Sequence, residues 1–229
     1  MLKLTPILIA VTVGVGMYLL SAWRLNRQLD SQSTELADPV IERHTCAMAK
    51  VLDIPRIPVH IYEIDPINGL ASPDGRIFIT RGFYDKYRLG DVTAEEISSV
   101  IAHELGHVAL GHSKRRMIDF SGQNAIRMIL TMILARFIPF VGAYIANLLA
   151  GLLAARLSRQ DEFEADAYAA ALLEKSGIGI EPQTSLFRKL DKMTGGGGQL
   201  AWMMSHPKTE DRIAAIESLK LGWSTAEQP

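Results

Sequence analysis

A His-Glu-Leu-Gly-His sequence at residues 103–107 combines the residue types of a metal-dependent hydrolase site. Positions i and i+4 of a helix lie on one face, so His103 and His107 can both direct a ring nitrogen at one metal ion. Glu104 then lies beside the metal without binding it and can take a proton from an attacking water molecule. The pattern therefore predicts zinc-dependent hydrolysis, provided that a helix and a third ligand are present.

The sequence before the motif predicts the required helix. Thr93 followed by Glu96 is a capping box, in which each side chain accepts a hydrogen bond from the backbone N–H of the other residue. Apolar residues then recur at helical spacing, at Ile97, Val100, Ile101, Leu105 and Val108. A surface helix with two incidental histidines is the alternative, and these flanking signals disfavour it.

The histidine nearest to the motif, His112, does not lie where a metzincin has its third zinc ligand. Metzincins continue the motif with a glycine and a histidine, which would fall at positions 110 and 113. This chain has Leu110 and Ser113 there, so the metzincin interpretation is excluded. We expect His112 at the helix C-terminus, where the helix dipole favours it.

An acidic cluster at residues 158–166 supplies better candidates. On a helix Glu162 and Asp166 share a face, whereas Glu164 points to the opposite side. One of the pair can bind zinc while the other hydrogen-bonds a ligating histidine and fixes its tautomer. We assign Glu162 as the ligand and Asp166 as the partner of His103, which gives the two-histidine, one-glutamate set of thermolysin-type sites. A solvated helix face is the alternative.

Further motifs follow in a fixed order, at residues 68–71, 75–82, 103–112 and 158–166, then Ser205-His-Pro207 with Arg212. Together they resemble the HtpX-like metallopeptidases, which are membrane-associated gluzincins related to the CAAX prenyl-protein proteases. The resemblance covers about residues 40 to 220. It implies an endopeptidase with one zinc ion per chain, and it agrees with Glu162 as the third ligand.

The resemblance also gives His206 a role, as a donor to the transition state or an occasional extra zinc ligand. His206 precedes Pro207 and an apolar run, which together predict a helix start. A histidine at a helix N-terminus lies in positive potential and can donate to a developing oxyanion. An ordinary capping or packing histidine is the alternative. His44 and His60 are interpreted as structural.

Peptide substrates are expected to lie extended along an edge strand and to pair with it through backbone hydrogen bonds. Ile77, Phe78 and Ile79 form the predicted edge strand, since they follow a turn and precede the motif helix. The resemblance implies that Asn68 to Ala71 line the same cleft. Backbone pairing predicts little sequence preference in the substrate.

The amino-terminal segment predicts a membrane anchor. Leu4 to Trp23 is a stretch of 20 residues without a charge, which is long enough to cross a bilayer as a helix. A cleaved signal peptide is the alternative, but its apolar run is normally shorter and a good cleavage site is missing. We predict an uncleaved anchor in a bacterial inner membrane. The basic residues that flank the segment are too evenly balanced to predict its orientation.

A second apolar region, residues 124–157, is predicted to form a helical hairpin broken at residues 139–142. Because His107 and Glu162 flank this region yet meet at one ion, the chain must cross the membrane between them an even number of times. Each helix is shorter than a typical span, so we expect a hairpin that lies on or dips into one leaflet. An ordinary buried hairpin and a two-span hairpin are the alternatives.

Composition fits one domain with membrane-seeking segments. The chain has 229 residues, 48% of them hydrophobic, and a net charge of −1. Nucleic-acid binding would require a basic surplus, and the single Cys46 cannot form an intrachain disulfide. The predicted fold class is α+β and mainly helical: a zincin (gluzincin) domain at 38–222 with a small β-sheet, preceded by a transmembrane anchor at 1–23 and a polar linker at 24–37.

The sequence therefore predicts hydrolysis of peptide bonds in unfolded or membrane-associated proteins, and the resemblance implies a role in protein quality control. Polypeptide substrates and membrane lipid are the expected partners, and nucleic acid is not. A catalytically silent zinc-binding scaffold or chaperone of the same fold is the alternative, in which Glu104 would be dispensable. A prenyl-protein processor fits less well, because those relatives enclose a chamber with several spans.

Overall fold

A computed structural model describes residues 5–72, 74–112, 142–194 and 209–226 of the chain. The helices are α1 (Thr5–Ser31), α2 (Pro39–Val51), α3 (Arg81–Arg88), α4 (Ala94–Ala109), α5 (Gly142–Lys175), α6 (Glu181–Thr194) and α7 (Thr209–Ala226). The strands are β1 (Ser33–Glu35), β2 (Val59–Tyr62), β3 (Gly69–Ala71) and β4 (Ile77–Thr80). The described residues are therefore α+β and mainly helical with a small sheet, as predicted.

Capping residues begin the two helices whose starts are clearest in the sequence. The Asp38 carboxylate accepts hydrogen bonds from two backbone N–H groups at the start of α2. Thr93 and Glu96 form the predicted reciprocal capping box at the start of α4. Since α4 continues to Ala109, residues 103–107 lie on one uninterrupted helix.

The four described strands form one sheet in the order β1-β2-β4-β3. The β2–β4 pair is parallel, and the other two pairs are antiparallel. Ile77, Phe78 and Ile79 of β4 therefore pair with strands on both sides, and the prediction that they form an edge strand is wrong. A local sequence pattern marks a strand but does not specify its neighbours. The edge strand beside β4 is β3.

Apolar packing on both faces holds β4 in place, because successive side chains of a strand point to opposite faces. Ile77 and Ile79 belong to the main core, to which α2 and α4 also contribute. Phe78 packs on the other face with Leu29 of α1 and with Tyr62. The sheet is thus a buried platform on which α4 rests.

The chain divides into two compact units, one of residues 1–25 and 111–161 and the other of residues 26–110 and 162–229. The four strands and α2, α3, α4, α6 and α7 belong to the second unit. The segment 24–37, predicted to be a polar linker, instead completes α1 and forms β1. The helical pattern continues through these polar residues because Leu29 is buried against the sheet.

The predicted membrane segments are described only in part. Exposed apolar side chains of α1 include Leu8, Met17, Leu19 and Trp23. Within the described ranges no helix is both long and apolar enough to cross a membrane, and the predicted anchor is not confirmed. Of the predicted hairpin, residues 124–141 lie outside the described residues. Residues 142–157 begin α5, which continues to Lys175.

Candidate metal centre

The three predicted metal ligands come together where α4 faces α5. His103 and His107 lie on one face of α4, with their Nε2 atoms 3.1 Å apart. Glu162 of α5 places its Oε2 atom 3.4 Å from His103 Nε2. Its Oε1 atom is 3.5 Å from His107 Nε2. All three side chains are buried, and their donor atoms lie close together around one small volume.

These separations fit the donor set of one tetrahedral zinc ion. Bonds of about 2.0 to 2.1 Å at the tetrahedral angle place neighbouring ligand atoms about 3.3 Å apart. The three separations between the histidine and glutamate atoms lie between 3.1 and 3.5 Å. Three protein ligands leave a fourth position open, which is typical of catalytic zinc sites, whereas structural sites use four.

Gly106 explains how α4 and α5 approach closely enough to form this site. A Cβ atom on Gly106 would lie 3.0 Å from the carbonyl oxygen of Ala165 and 3.1 Å from its Cα atom. Gly106 lies between His103 and His107 on α4, and Ala165 lies between Glu162 and Asp166 on α5. The two helices therefore come closest at the level of the donor atoms. A larger residue at position 106 would separate the two helices.

Asp166, one helical turn beyond Glu162, contacts the other ring nitrogen of His103. The Nδ1–H of His103 donates a hydrogen bond to Asp166 Oδ1 over 2.9 Å, which is the contact expected from the helical spacing. This bond fixes the tautomer in which the Nε2 atom carries a lone pair for a metal ion. It also fixes the plane of the imidazole ring.

The pKa values of His103 and Asp166, which are both buried, favour a cation at the site. Burial works to lower the pKa of His103, but hydrogen bonds with Asp166 and Glu162 outweigh it and raise the pKa to about 9. Burial works to raise the pKa of Asp166, but Arg212 and His103 donate to it and hold the pKa below its ordinary value. A metal ion that binds His103 therefore takes the place of a proton.

Two residues without a predicted role complete the surroundings of Asp166. Arg212 of α7 donates to both carboxylate oxygens. Gln183 of α6 donates to Asp166 Oδ1 over 3.3 Å. Arg212 belongs to the last of the ordered motifs, so the sequence contained a signal for it. Gln183 had none, because no neighbouring pattern marks it.

Glu104 is buried beside the edge strand β3. A Cβ atom on Gly69 of β3 would lie 3.6 Å from Glu104 Oε1 and would overlap the Cγ1 atom of Val100. The absence of a side chain at position 69 therefore lets the backbone of β3 lie directly on α4. The predicted base is thus next to an edge strand, although not the strand that the sequence predicted.

Asn68 and Ala71 flank Gly69 on this edge. The backbone N–H of Asn68 donates to Thr80 Oγ1, and its carbonyl oxygen accepts from the Thr80 backbone N–H, so both groups are bound to β4. The Oδ1 atom of Asn68 is buried, and no described residue donates a hydrogen bond to it. The two residues predicted by resemblance to line the cleft are therefore on the edge strand or directly before it.

The remaining predicted histidines have different outcomes. His206 lies outside the described residues, so its role stays a prediction. The interaction of His112 with the dipole at the end of α4 stays a prediction; the residue is buried, with its Nε2 atom 3.9 Å from Asp161 Oδ1. His44 has the structural contact expected of it, since its Nδ1 atom is 3.0 Å from Ser98 Oγ.

Comparison with known proteins places this site in a family. Residues 35–220 match the model of peptidase family M48. The metalloprotease LoiP of Escherichia coli is 32% identical over 156 residues, which are 68% of this chain and 60% of LoiP. The metalloprotease YcaL of the same organism is 30% identical over 68% of this chain and 59% of its own length. A protease HtpX homolog of Janthinobacterium is 28% identical over 75% of this chain and 76% of its own.

The chain thus spans about three fifths of the length of LoiP and of YcaL. The family match covers every residue of the described metal centre, from His103 to Arg212. The HtpX homolog confirms the resemblance inferred from the ordered motifs. The protein is a member of peptidase family M48.

Proposed function

We propose that this protein is a zinc-dependent metalloendopeptidase with one zinc ion per chain. The observation that carries the proposal is the convergence of His103 Nε2, His107 Nε2 and Glu162 on one volume, with separations of 3.1 to 3.5 Å. Membership of a peptidase family supports the same conclusion. The three residues would hold the metal, and Asp166 would orient His103 from behind.

Zinc, when bound, polarises the peptide carbonyl group and makes water a better nucleophile at neutral pH. Glu104 would act as the general base: its carboxylate takes a proton from the attacking water and delivers it to the leaving amine. Its position one residue after His103 places it beside the metal ligands on α4. Its burial beside β3 supports this role, because a peptide bound to that strand would lie next to it.

The substrate would bind along β3. It would pair with the backbone groups of β3 that are not hydrogen-bonded to β4. The Thr80 N–H donates to Asn68 O, and four residues further along the chain the Ser72 N–H donates to Arg76 O. Because hydrogen-bonded pairs alternate along an antiparallel ladder, the N–H and C=O groups of Gly69 and Ala71 point away from β4. They face the side on which no described strand pairs with β3.

Backbone pairing of this kind requires an extended peptide and reads little of its sequence. Unfolded or loosely inserted proteins offer such segments, so we propose protein quality control as the role. The exposed apolar residues of α1 support contact with membrane lipid, and the uncharged stretch from Leu4 to Trp23 supports an N-terminal anchor in a bacterial inner membrane. His206 would donate a hydrogen bond to the oxyanion, as the resemblance implies.

A zinc-binding scaffold or chaperone of the same fold is the alternative function. The two functions differ at Glu104, which a scaffold does not need. Glu104 is 4% exposed, and burying a carboxylate costs free energy, so its presence in a core position favours catalysis.

The test is cleavage of casein by the full-length protein with zinc, comparing the wild type with Glu104→Gln. Zinc content is matched by elemental analysis, and Glu95→Gln on the same helix is the control. Loss of a general base lowers the rate by about 10²- to 10⁴-fold, so Glu104→Gln should lose activity and keep its zinc. Zinc binding without casein cleavage in the wild type would favour the scaffold, and equal activity in the two proteins would contradict Glu104 as the base.

A further inference from the structure

Arg212 is a buried cation behind the metal centre, and it is not one of the proposed metal ligands. Its side chain is 2% exposed, although it lies near the start of α7. Arginine is almost never fully buried without a partner. The flat guanidinium group lies over the ring of Phe187, with its Cζ atom 4.3 Å from the ring centroid.

The partner of Arg212 is Asp166, and the geometry is bidentate. Arg212 Nε donates to Asp166 Oδ2 over 2.6 Å, and Nη2 donates to Oδ1 over 2.7 Å. Parallel bonds from a planar fork hold a carboxylate in one orientation, which a lysine ammonium cannot do. Gln183 adds a third donor to Oδ1. These donors therefore hold the Asp166 carboxylate in one orientation.

The orientation of Asp166 sets the orientation of His103. Asp166 Oδ1 accepts at the same time from Arg212, from Gln183 and from His103 Nδ1. The imidazole ring is therefore held at one end, so that its Nε2 atom faces His107 and Glu162. The Arg212 guanidinium also lies 3.9 Å from Glu162 Oε2, so one buried cation serves two buried carboxylates.

We infer that Arg212 is a positioning residue for the metal centre: through its two hydrogen bonds to Asp166 it holds His103 in the orientation that binds zinc. The inference rests on the proposed metal site. It makes α7 part of the metal-binding machinery rather than only a helix that covers the core. Partners in the outer ring of a metal site typically contribute 10- to 100-fold to affinity.

Electrostatics alone would predict the opposite effect of removing Arg212. Loss of a positive charge 3.9 Å from Glu162 makes the site more attractive to a divalent cation. Positioning predicts weaker binding, because Asp166 and then His103 become free to reorient. The sign of the change in zinc affinity therefore separates the two roles.

The experiment measures zinc affinity by competition with a chromophoric chelator in four full-length proteins: wild type, Arg212→Met, Asp166→Ala and the double variant. Circular dichroism of each metal-free protein confirms that it is folded. We expect Arg212→Met to weaken zinc binding by about 10- to 100-fold. In the Asp166→Ala background the same substitution should weaken it no further, because Arg212 acts through Asp166.

The double variant removes both buried charges together, so it tests the inference even if Arg212→Met leaves Asp166 uncompensated and does not fold. In that case a zinc affinity of the double variant equal to that of Asp166→Ala supports positioning, and an affinity lower than it by tenfold or more overturns it. Unchanged or tighter binding by a folded Arg212→Met protein also overturns it. A wild type that binds no zinc would instead refute the proposed metal centre itself.

Discussion

Gly106 of α4 lies so close to Ala165 of α5 that a Cβ atom on the glycine would be 3.0 Å from the alanine's carbonyl oxygen. The neighbour is backbone, which cannot rotate away as a flexible side chain would. The spacing of the two helices, and with it the distance from the histidines to Glu162, therefore depends on a residue without a side chain.

Gly106→Val should weaken zinc binding by tenfold or more, because the branched side chain forces α5 away from α4. Stability should fall by about 1 to 3 kcal/mol, as is usual when a packed core is overfilled. Chelator competition and urea unfolding measure the two effects. Gly222→Val is the matched control, since among the described residues no atom outside its own stretch of helix lies within 4 Å of the added Cβ. Native zinc affinity in Gly106→Val would contradict this account of the site.

Gly69→Ala should lower peptidase activity by displacing β3 from α4. The added Cβ atom overlaps Val100 Cγ1, and a valine in a helix has little freedom to change its rotamer. The double variant Gly69→Ala/Val100→Ala removes the obstructing atom and should recover activity relative to Gly69→Ala. Steady-state cleavage of casein, with Val100→Ala alone as the control, measures this. Absence of any recovery would argue that β3 does not depend on this contact.

Removal of the metal should lower the thermal midpoint of unfolding. A ligand that binds only the folded state at a free concentration 100 times its Kd adds about 2.7 kcal/mol. For a domain of this size that corresponds to a shift of about 5 to 11 °C. Calorimetry with and without a chelator measures the shift, and Glu162→Gln should lose most of it. An equal response in Glu162→Gln would place the stabilising metal elsewhere.

The turn before β4 should make a small pH-dependent contribution to stability through Asp74. Partial burial works to raise the pKa of Asp74, but hydrogen bonds from Arg76 and Ser72 hold it below its ordinary value of 3.8. A pKa that is lower in the folded state stabilises the fold above the unfolded value, and this contribution disappears as the pH falls through the folded value.

Asp74→Asn should therefore destabilise the protein near neutral pH and make less difference below about pH 4. The Asp74 side chain is 39% exposed, so the effect should stay below about 1 kcal/mol. Urea midpoints of the two proteins at several pH values measure it. A difference that grows towards low pH would have the wrong sign for this mechanism.

Local spacing was enough to predict the parts of the site that lie on one helix. His103 and His107 share a face because any α-helix brings i and i+4 together, and Thr93 with Glu96 marked where that helix begins. The same rule separated Glu162 and Asp166 from Glu164. The ordered motifs predicted the family, which the comparisons confirm. Each of these inferences needs only contacts between residues near in sequence, or a pattern of residue types.

Only the tertiary structure decided which elements lie beside one another. β4 carries a clear strand pattern, yet its place inside the sheet depends on pairing with β2 and β3, which its own residues do not encode. The distances from Glu162 to the histidines depend on how closely α5 passes Gly106. Arg212 reaches Asp166 from a helix far along the chain. Such contacts arise when the whole core packs, since burial and close packing select one arrangement among many that the local sequence permits.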